Sequence, residues 1–106
     1  MWLFTLNSFV SIVRHRQEHD TLLVRARRRE DLLTLLGHAY DNKISEDRNA
    51  DYPWRVLMKE NDFQTLINDY ITKKLEYDNF KAAQSPDPKF EHFLHKVWAE
   101  GFRLQR

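Results

Sequence analysis

The amino-acid sequence predicts an α+β fold: a four-stranded, mainly antiparallel sheet with two or three helices packed on one face. Three observations lead there. Residues 2–27 hold short runs in which alternate residues are apolar, joined by polar turns, the pattern of half-buried strands. The period then switches to helical spacing at Leu32, Leu35, Leu36, Ala39 and Tyr40. A fourth alternating run, Tyr52 to Lys59, is again followed at once by a helical stripe. With 106 residues the chain reads as a single domain, 1–106, of a size that buries roughly two-thirds of its unfolded surface.

Each element has a local cause. Trp2, Phe4 and Leu6 alternate with Leu3, Thr5 and Asn7, and the Asn7-Ser8 pair offers a turn. A second run extends from Phe9 to Arg16. The third, Leu22 to Arg27, follows the polar turn "QEHD" at 17–20. Glu30 and Asp31 open the first helix, where the helix dipole favours acids. Residues 41–51, "DNKISEDRNAD", show no period and read as a loop. Asn61 is the expected N-cap of the second helix, with Gln64 as its capping-box partner, ahead of a stripe at Phe63, Leu66, Ile67, Tyr70, Ile71 and Leu75. "YDNFKAA" reads as a short helical turn. Asp87-Pro88 supplies an N-cap and first helical position for a last helix carrying Phe90, Phe93, Leu94, Val97 and Trp98. "EDLLTLL" at 30–36 echoes "NDFQTLI" at 61–67, which suggests two helices side by side on one sheet face, with room for a helical crossover between the third and fourth strands.

Composition narrows the function classes. Without cysteine there can be no disulfide, thiolate metal site or cysteine nucleophile, and a cytoplasmic setting is the expectation. The apolar start "MWLFTLNSFVSIV" lacks a basic leader and a small-residue cleavage site, so it reads as strands rather than as a signal peptide. No run approaches the roughly 20 apolar residues of a membrane span. Two glycines leave no material for a glycine-rich phosphate loop. The net charge is only +1, so attraction to a polyanion must come from where charges sit rather than from their sum.

The placement of arginine is the main functional signal. "VRARRREDLLTLL" puts Arg25, Arg27, Arg28 and Arg29 at the seam between strand and helix. In a hairpin across 17–20, Phe9, Val13, Leu22, Val24 and Ala26 are expected on the helix side. Val10, Ile12, Arg14, Arg16, Leu23, Arg25 and Arg27 are expected on the other. The fourth strand turns Trp54, Val56 and Met58 inward and Arg55, Leu57 and Lys59 outward. Arg14, Arg16, Arg25, Arg27, Arg55 and Lys59 then share an open basic face, on which guanidinium forks suit phosphate or carboxylate oxygens. Open antiparallel faces are also ordinarily wet and charged, and Arg28 and Arg29 are expected simply to pair with Glu30 and Asp31. The face lacks the aromatic pair on which RNA bases would stack.

Other chemistry is thin. His92 and His95 are three apart beside Glu91, but no third ligand is marked, so neither a metal nor another cofactor is expected. No nucleophile elbow or phosphate loop is present. An enzyme acting on a phosphate-containing substrate would need Asp51, Tyr52, Arg55, Tyr77, Asp78, Lys81 and His95 to converge. Trp2, Trp54 and Trp98 read as core residues. Trp98 with Phe102 offers the alternative of an apolar interface patch.

The pieces "MWLFT", "SFVSIV", "VRAR" followed by "EDL", "ADYPWR", "YDNFK" and "KVW" span most of the chain. In these it resembles a set of small bacterial hypothetical proteins of similar length with an MW-x-FT start and a VRAR motif. The resemblance implies a natural single domain and brings no catalytic residues. Ser8 stands where those proteins are expected to carry glycine, a departure that bears on the first turn. The resemblance marks Arg25, Arg27, Tyr52, Arg55, Asn79 and Lys81 as polar positions to alter first.

The functional expectation is a non-enzymatic binding or regulatory module that contacts nucleic acid or an acidic protein surface through the basic face. Tyr52, Asn79, Lys81 and His95 are secondary candidates. The alternatives are the small phosphate-directed enzyme and a protein-interaction domain or homodimer.

Overall fold

The structure, a computed structural model, describes every residue except Lys81, Gln84 and Arg106. Five strands form one antiparallel sheet in the order β1-β2-β3-β5-β4: β1 is Trp2–Phe4, β2 Phe9–Arg14, β3 Thr21–Ala26, β4 Ser45–Glu46 and β5 Trp54–Lys59. Helices α1 (Arg29–Leu36), α2 (Glu60–Lys73) and α3 (Pro88–Gly101) complete the described structure, with 3-10 turns at His38–Lys43 and Phe102–Gln105. No helix among the described residues is long and apolar enough to cross a membrane.

The sheet has one strand more than the pattern predicts. Residues 41–51 contain β4, in which Ser45 pairs with Arg55 and Glu46 with Trp54. Two residues are too few to show a period, and the free edge of β5 is what makes them a strand. β3 and β5 are antiparallel neighbours, so the chain between them is an excursion over one face and not a crossover to a parallel strand.

The helix-side core joins Val10 and Ile12 of β2, Leu22, Val24 and Ala26 of β3, and Val56 and Met58 of β5 to Leu32, Leu35 and Leu36 of α1 and Phe63 of α2. Here β2 departs from its expected parity. Ile12 pairs with Val24 and Arg14 with Leu22, and directly opposed residues point to the same face. Val10, Ile12 and Arg14 therefore face the helices, while Phe9, Ser11 and Val13 face away. Both residue sets of β2 begin apolar, so its pattern is neutral. The register is set by the β2–β3 loop, whose flanks are tied by the His15 N–H bond to the Thr21 carbonyl at 2.9 Å.

Helix α1 ends at Gly37, which has φ of 94° and donates its N–H to the Leu33 carbonyl at 2.8 Å. With ψ of 162° this backbone belongs to a region that is essentially glycine's alone. Nothing lies within 4 Å of the place a Cβ would occupy, so the penalty on a side chain there is conformational. Gly37→Ala is expected to lower stability by about 1–3 kcal/mol in chemical denaturation, and an unchanged midpoint would contradict this backbone geometry.

Helix α2 begins one residue before the expected cap. β5 runs straight into it at Lys59, no side chain caps it, and the Glu60 N–H bonds to the Asp20 carbonyl at 2.8 Å. Asn61 is thus inside the helix. Ile71 and Leu75, the end of the expected stripe, are exposed. Asp87 does cap α3, accepting from Lys89 N–H at 3.1 Å and Phe90 N–H at 3.3 Å, with Pro88 following. The described part of "YDNFKAA" forms turns and no helix. Ser8 needs no glycine-like backbone: it is buried and its hydroxyl lies 2.5 Å from that of Thr5.

The placement of α3 corrects the expectation of helices on one face only. α1 and α2 share the core face, whereas Phe90 and Leu94 of α3 join a second cluster with Phe4, Phe9 and Tyr52. Phe4 and Phe9 oppose each other on the far face, and Phe93 lies 6.1 and 5.7 Å from their rings. The third helix therefore covers the β1–β2 corner of that face and leaves the β3–β5 portion open.

Candidate functional site

The open face is organised in rows set by the strand register. Trp2, Ser11, Arg25, Arg55 and Ser45 lie abreast across all five strands. Two residues along, Val13, Leu23 and Leu57 lie abreast across β2, β3 and β5. A further step brings Thr21 and Lys59 together. Trp2, 65% exposed, and Leu57, 56% exposed, stand out from this surface.

Arg25 and Arg55 are direct cross-strand neighbours, an arrangement in which like charges repel. Arg25 donates from Nη2 to Ser11 Oγ at 2.8 Å. Its Nε and that of Arg55 are buried without a hydrogen-bond acceptor. Arg27 donates from Nη1 to the Asp51 carbonyl at 3.0 Å. The Arg25 and Arg27 guanidinium carbons lie 5.0 and 4.8 Å from the centroid of the buried Tyr52 ring, so one tyrosine seats both cations. Among the described residues, no carboxylate lies within ion-pair distance of Arg25, Arg27 or Arg55.

The remaining basic candidates are placed differently. Arg14 is on the helix side, where Nη2 meets Glu60 Oε1 at 2.6 Å and Nη1 meets the His19 carbonyl. The shifted register of β2 removes it from the open face. Arg16 is exposed in the β2–β3 loop, off the sheet. Lys59 is on the open face but lies 3.2 Å from Asp20 Oδ2, and that hydrogen bond holds the Asp20 carboxyl below its ordinary value. Of the secondary candidates, Tyr52 touches Arg25 and Arg27. Asn79 accepts from the Ala82 N–H at 3.3 Å, and His95 lines a hollow with Phe80, Leu94 and Trp98, 4.0 Å from Glu91. Lys81 lies outside the described residues. Tyr52 packs with Phe9 and Phe90, and Leu94 joins that cluster while also lining the hollow that holds His95. Among the described residues, no three His, Asp or Glu side chains gather as a metal site requires.

Arg28 has a structural post. It reaches Glu30 at 3.3 Å, Asp31 at 2.6 Å and Asp87 at 2.9 Å, and lies 5.0 Å from the Phe90 ring centroid. It therefore ties the start of α1 to the start of α3. Arg29 pairs with Asp41 and not with its neighbouring acids. The hydrogen bond from Arg28 holds the Asp87 carboxyl below its ordinary value. Burial pushes Asp31 up, against the opposing pull of Arg28 and of the Phe9 N–H that donates to its Oδ2 at 3.1 Å.

Sequence reasoning missed Ser11, which is buried beside Arg25, and Trp2, which was expected in the core. The alternation in β1 shows that Trp2 and Leu3 point opposite ways, but not which of them faces the helices. Trp98 and Phe102 are both exposed and meet edge to face at 4.7 Å, so they form a surface pair. No family model matches the chain, and no curated protein or solved structure matches it significantly.

Proposed function

We propose that the chain is a non-enzymatic binding module that docks an anionic partner on the open sheet face, with Arg25 and Arg55 as anchors and Arg27 beside them. The observation that carries this reading is the direct cross-strand placement of Arg25 and Arg55, with buried, acceptorless Nε atoms and, among the described residues, no acid within ion-pair distance. An unmade hydrogen bond of this kind costs about 1–3 kcal/mol. Several other cations have acids: Arg14 has Glu60, Lys59 has Asp20, Arg29 has Asp41 and Arg28 has three. An oxyanion over the two forks meets their outward Nη donors and offsets the repulsion between the two charges.

The test is binding of fluorescent polyglutamate and a single-stranded oligonucleotide, followed by anisotropy across a salt series. Arg25→Ala combined with Arg55→Ala is expected to weaken binding of at least one probe by about tenfold or more and to flatten its salt dependence. The variant removes a like-charge contact and two unsatisfied donors but also the Arg25 bond to buried Ser11 and its contact with Tyr52, so thermal melts alongside the binding series verify that the fold is intact. Undiminished binding of both probes would remove this face from consideration.

A further inference from the structure

We infer that the partner of this face is a protein segment in which a carboxylate and an apolar side chain sit about 7 Å apart, the carboxylate over Arg25 and Arg55 and the apolar group over Leu23 and Leu57. The inference rests on the anion-docking reading and adds the apolar half of the surface to it. Side chains two apart on one strand face are separated by about 6.6–6.8 Å, so the arginine row and the Val13, Leu23 and Leu57 row are neighbours at that spacing. An extended peptide repeats its own same-face side chains at the same interval. One acidic and one apolar residue at positions i and i+2 therefore fall on the two rows together.

The neighbouring rows decide between kinds of partner. Leu57 is more than half exposed at the β5 end of its row, with Leu23 and then Val13 beyond it. A phosphodiester chain has nothing to place on three aliphatic side chains, Lys59, which would extend its track, already holds Asp20, and Arg14 is on the helix side. Bases would find Trp2 as the exposed aromatic of the arginine row, two strands away from Arg25. A second copy of this chain, stacked with its two-fold axis at the Arg25–Arg55 pair, would set that pair against its own copy without an acid between them. A segment of acidic and apolar residues satisfies both rows at once.

The experiment measures labelled peptides and an oligonucleotide against the intact chain, its Leu57→Ser variant and the variant combining Arg25→Ala with Arg55→Ala. The probes are a short peptide alternating aspartate and leucine, the same peptide with asparagine for aspartate, the same with serine for leucine, and a single-stranded oligonucleotide. The aspartate–leucine peptide is expected to bind tightest. Leu57→Ser is expected to weaken that complex by about fivefold while leaving the aspartate–serine peptide and oligonucleotide unaffected. Leu57 is exposed, and circular dichroism of both Leu57→Ser and Leu57→Thr verifies that the fold is intact.

Three results overturn the inference. If the oligonucleotide binds tighter, depends on Arg25 and Arg55 and ignores Leu57, the partner assignment fails while the anion-docking reading survives. If sedimentation shows a dimer that Leu57→Ser dissolves, the apolar row belongs to a second copy. If no probe depends on Arg25 and Arg55, both readings fall together.

Discussion

Replacing Asp31 with alanine is expected to destabilise the protein by about 3 kcal/mol, one of the two largest single-residue effects anticipated here. The Asp31 side chain is only 3% exposed and holds two parts of the fold at once. Its Oδ2 accepts the Phe9 N–H at 3.1 Å, at the start of β2, and its Oδ1 accepts Arg28 Nε at 3.0 Å and Nη2 at 2.6 Å. Alanine strands the Phe9 N–H in a buried position and leaves Arg28 to Asp87 and Glu30. Removing the acid also relieves the desolvation that pushes its carboxyl up, and that relief offsets part of the loss. Asp31→Asn keeps an oxygen for the Phe9 N–H and should lose clearly less. The check is urea denaturation of the three proteins. An alanine variant within about 1 kcal/mol of the parent would mean that desolvation outweighs the bonds Asp31 makes.

Tyr52→Ala is expected to cost a comparable amount, about 3 kcal/mol, and to weaken anionic-probe binding in the same protein. Tyr52 is 6% exposed and fills the second cluster between Phe9 and Phe90. Its ring lies edge-on to Phe9 at 6.2 Å between centroids. It is also the surface against which the Arg25 and Arg27 guanidinium groups rest. Truncation opens a cavity under α3 and removes the support that positions both cations, so stability and binding should fall together. Tyr52→Phe keeps the ring and should retain both within narrow limits. Thermal melts and anisotropy on the parent, Phe and Ala proteins separate these outcomes. If the phenylalanine variant behaves like the alanine variant, the hydroxyl is responsible, and the account based on ring stacking fails.

The linear pattern reaches far into this fold where the cause is local. The turns that separate the first three strands are announced by polar clusters. The leucines of α1 carry their period openly, and Leu32, Leu35 and Leu36 are buried as that period requires. The α3 start at Asp87 and Pro88 is legible because a capping side chain and a proline need no tertiary partner. The start of α2 is less legible: Asn61 has the chemistry of a cap, but a carbonyl from Asp20, distant in sequence, satisfies the first turn instead. β4 is invisible for a related reason, since a two-residue strand exists only through the edge it borrows.

The candidate site divides along the same line. Arg25, Arg27 and Arg55 could be picked out from the sequence because β3 and β5 alternate cleanly, and parity alone sends Arg25 and Arg55 away from the aliphatic core. Arg14 could not be placed correctly. Its strand is apolar on both faces at its N-terminal end, and the β2–β3 loop determines which set faces the helices. Tyr52, Ser11 and Trp2 acquire their places beside the arginines only when strands far apart in the chain come abreast. The sequence by itself determined the α+β class, the antiparallel strands and the basic character of β3 and β5, because periodicity and turn chemistry act over a few neighbouring residues. The tertiary structure alone decided the register of β2, the fifth strand, the crossing of α3 to the far face and the isolation of Arg25 and Arg55 from every described acid, because these depend on pairings between segments whose separation along the chain carries no local signal.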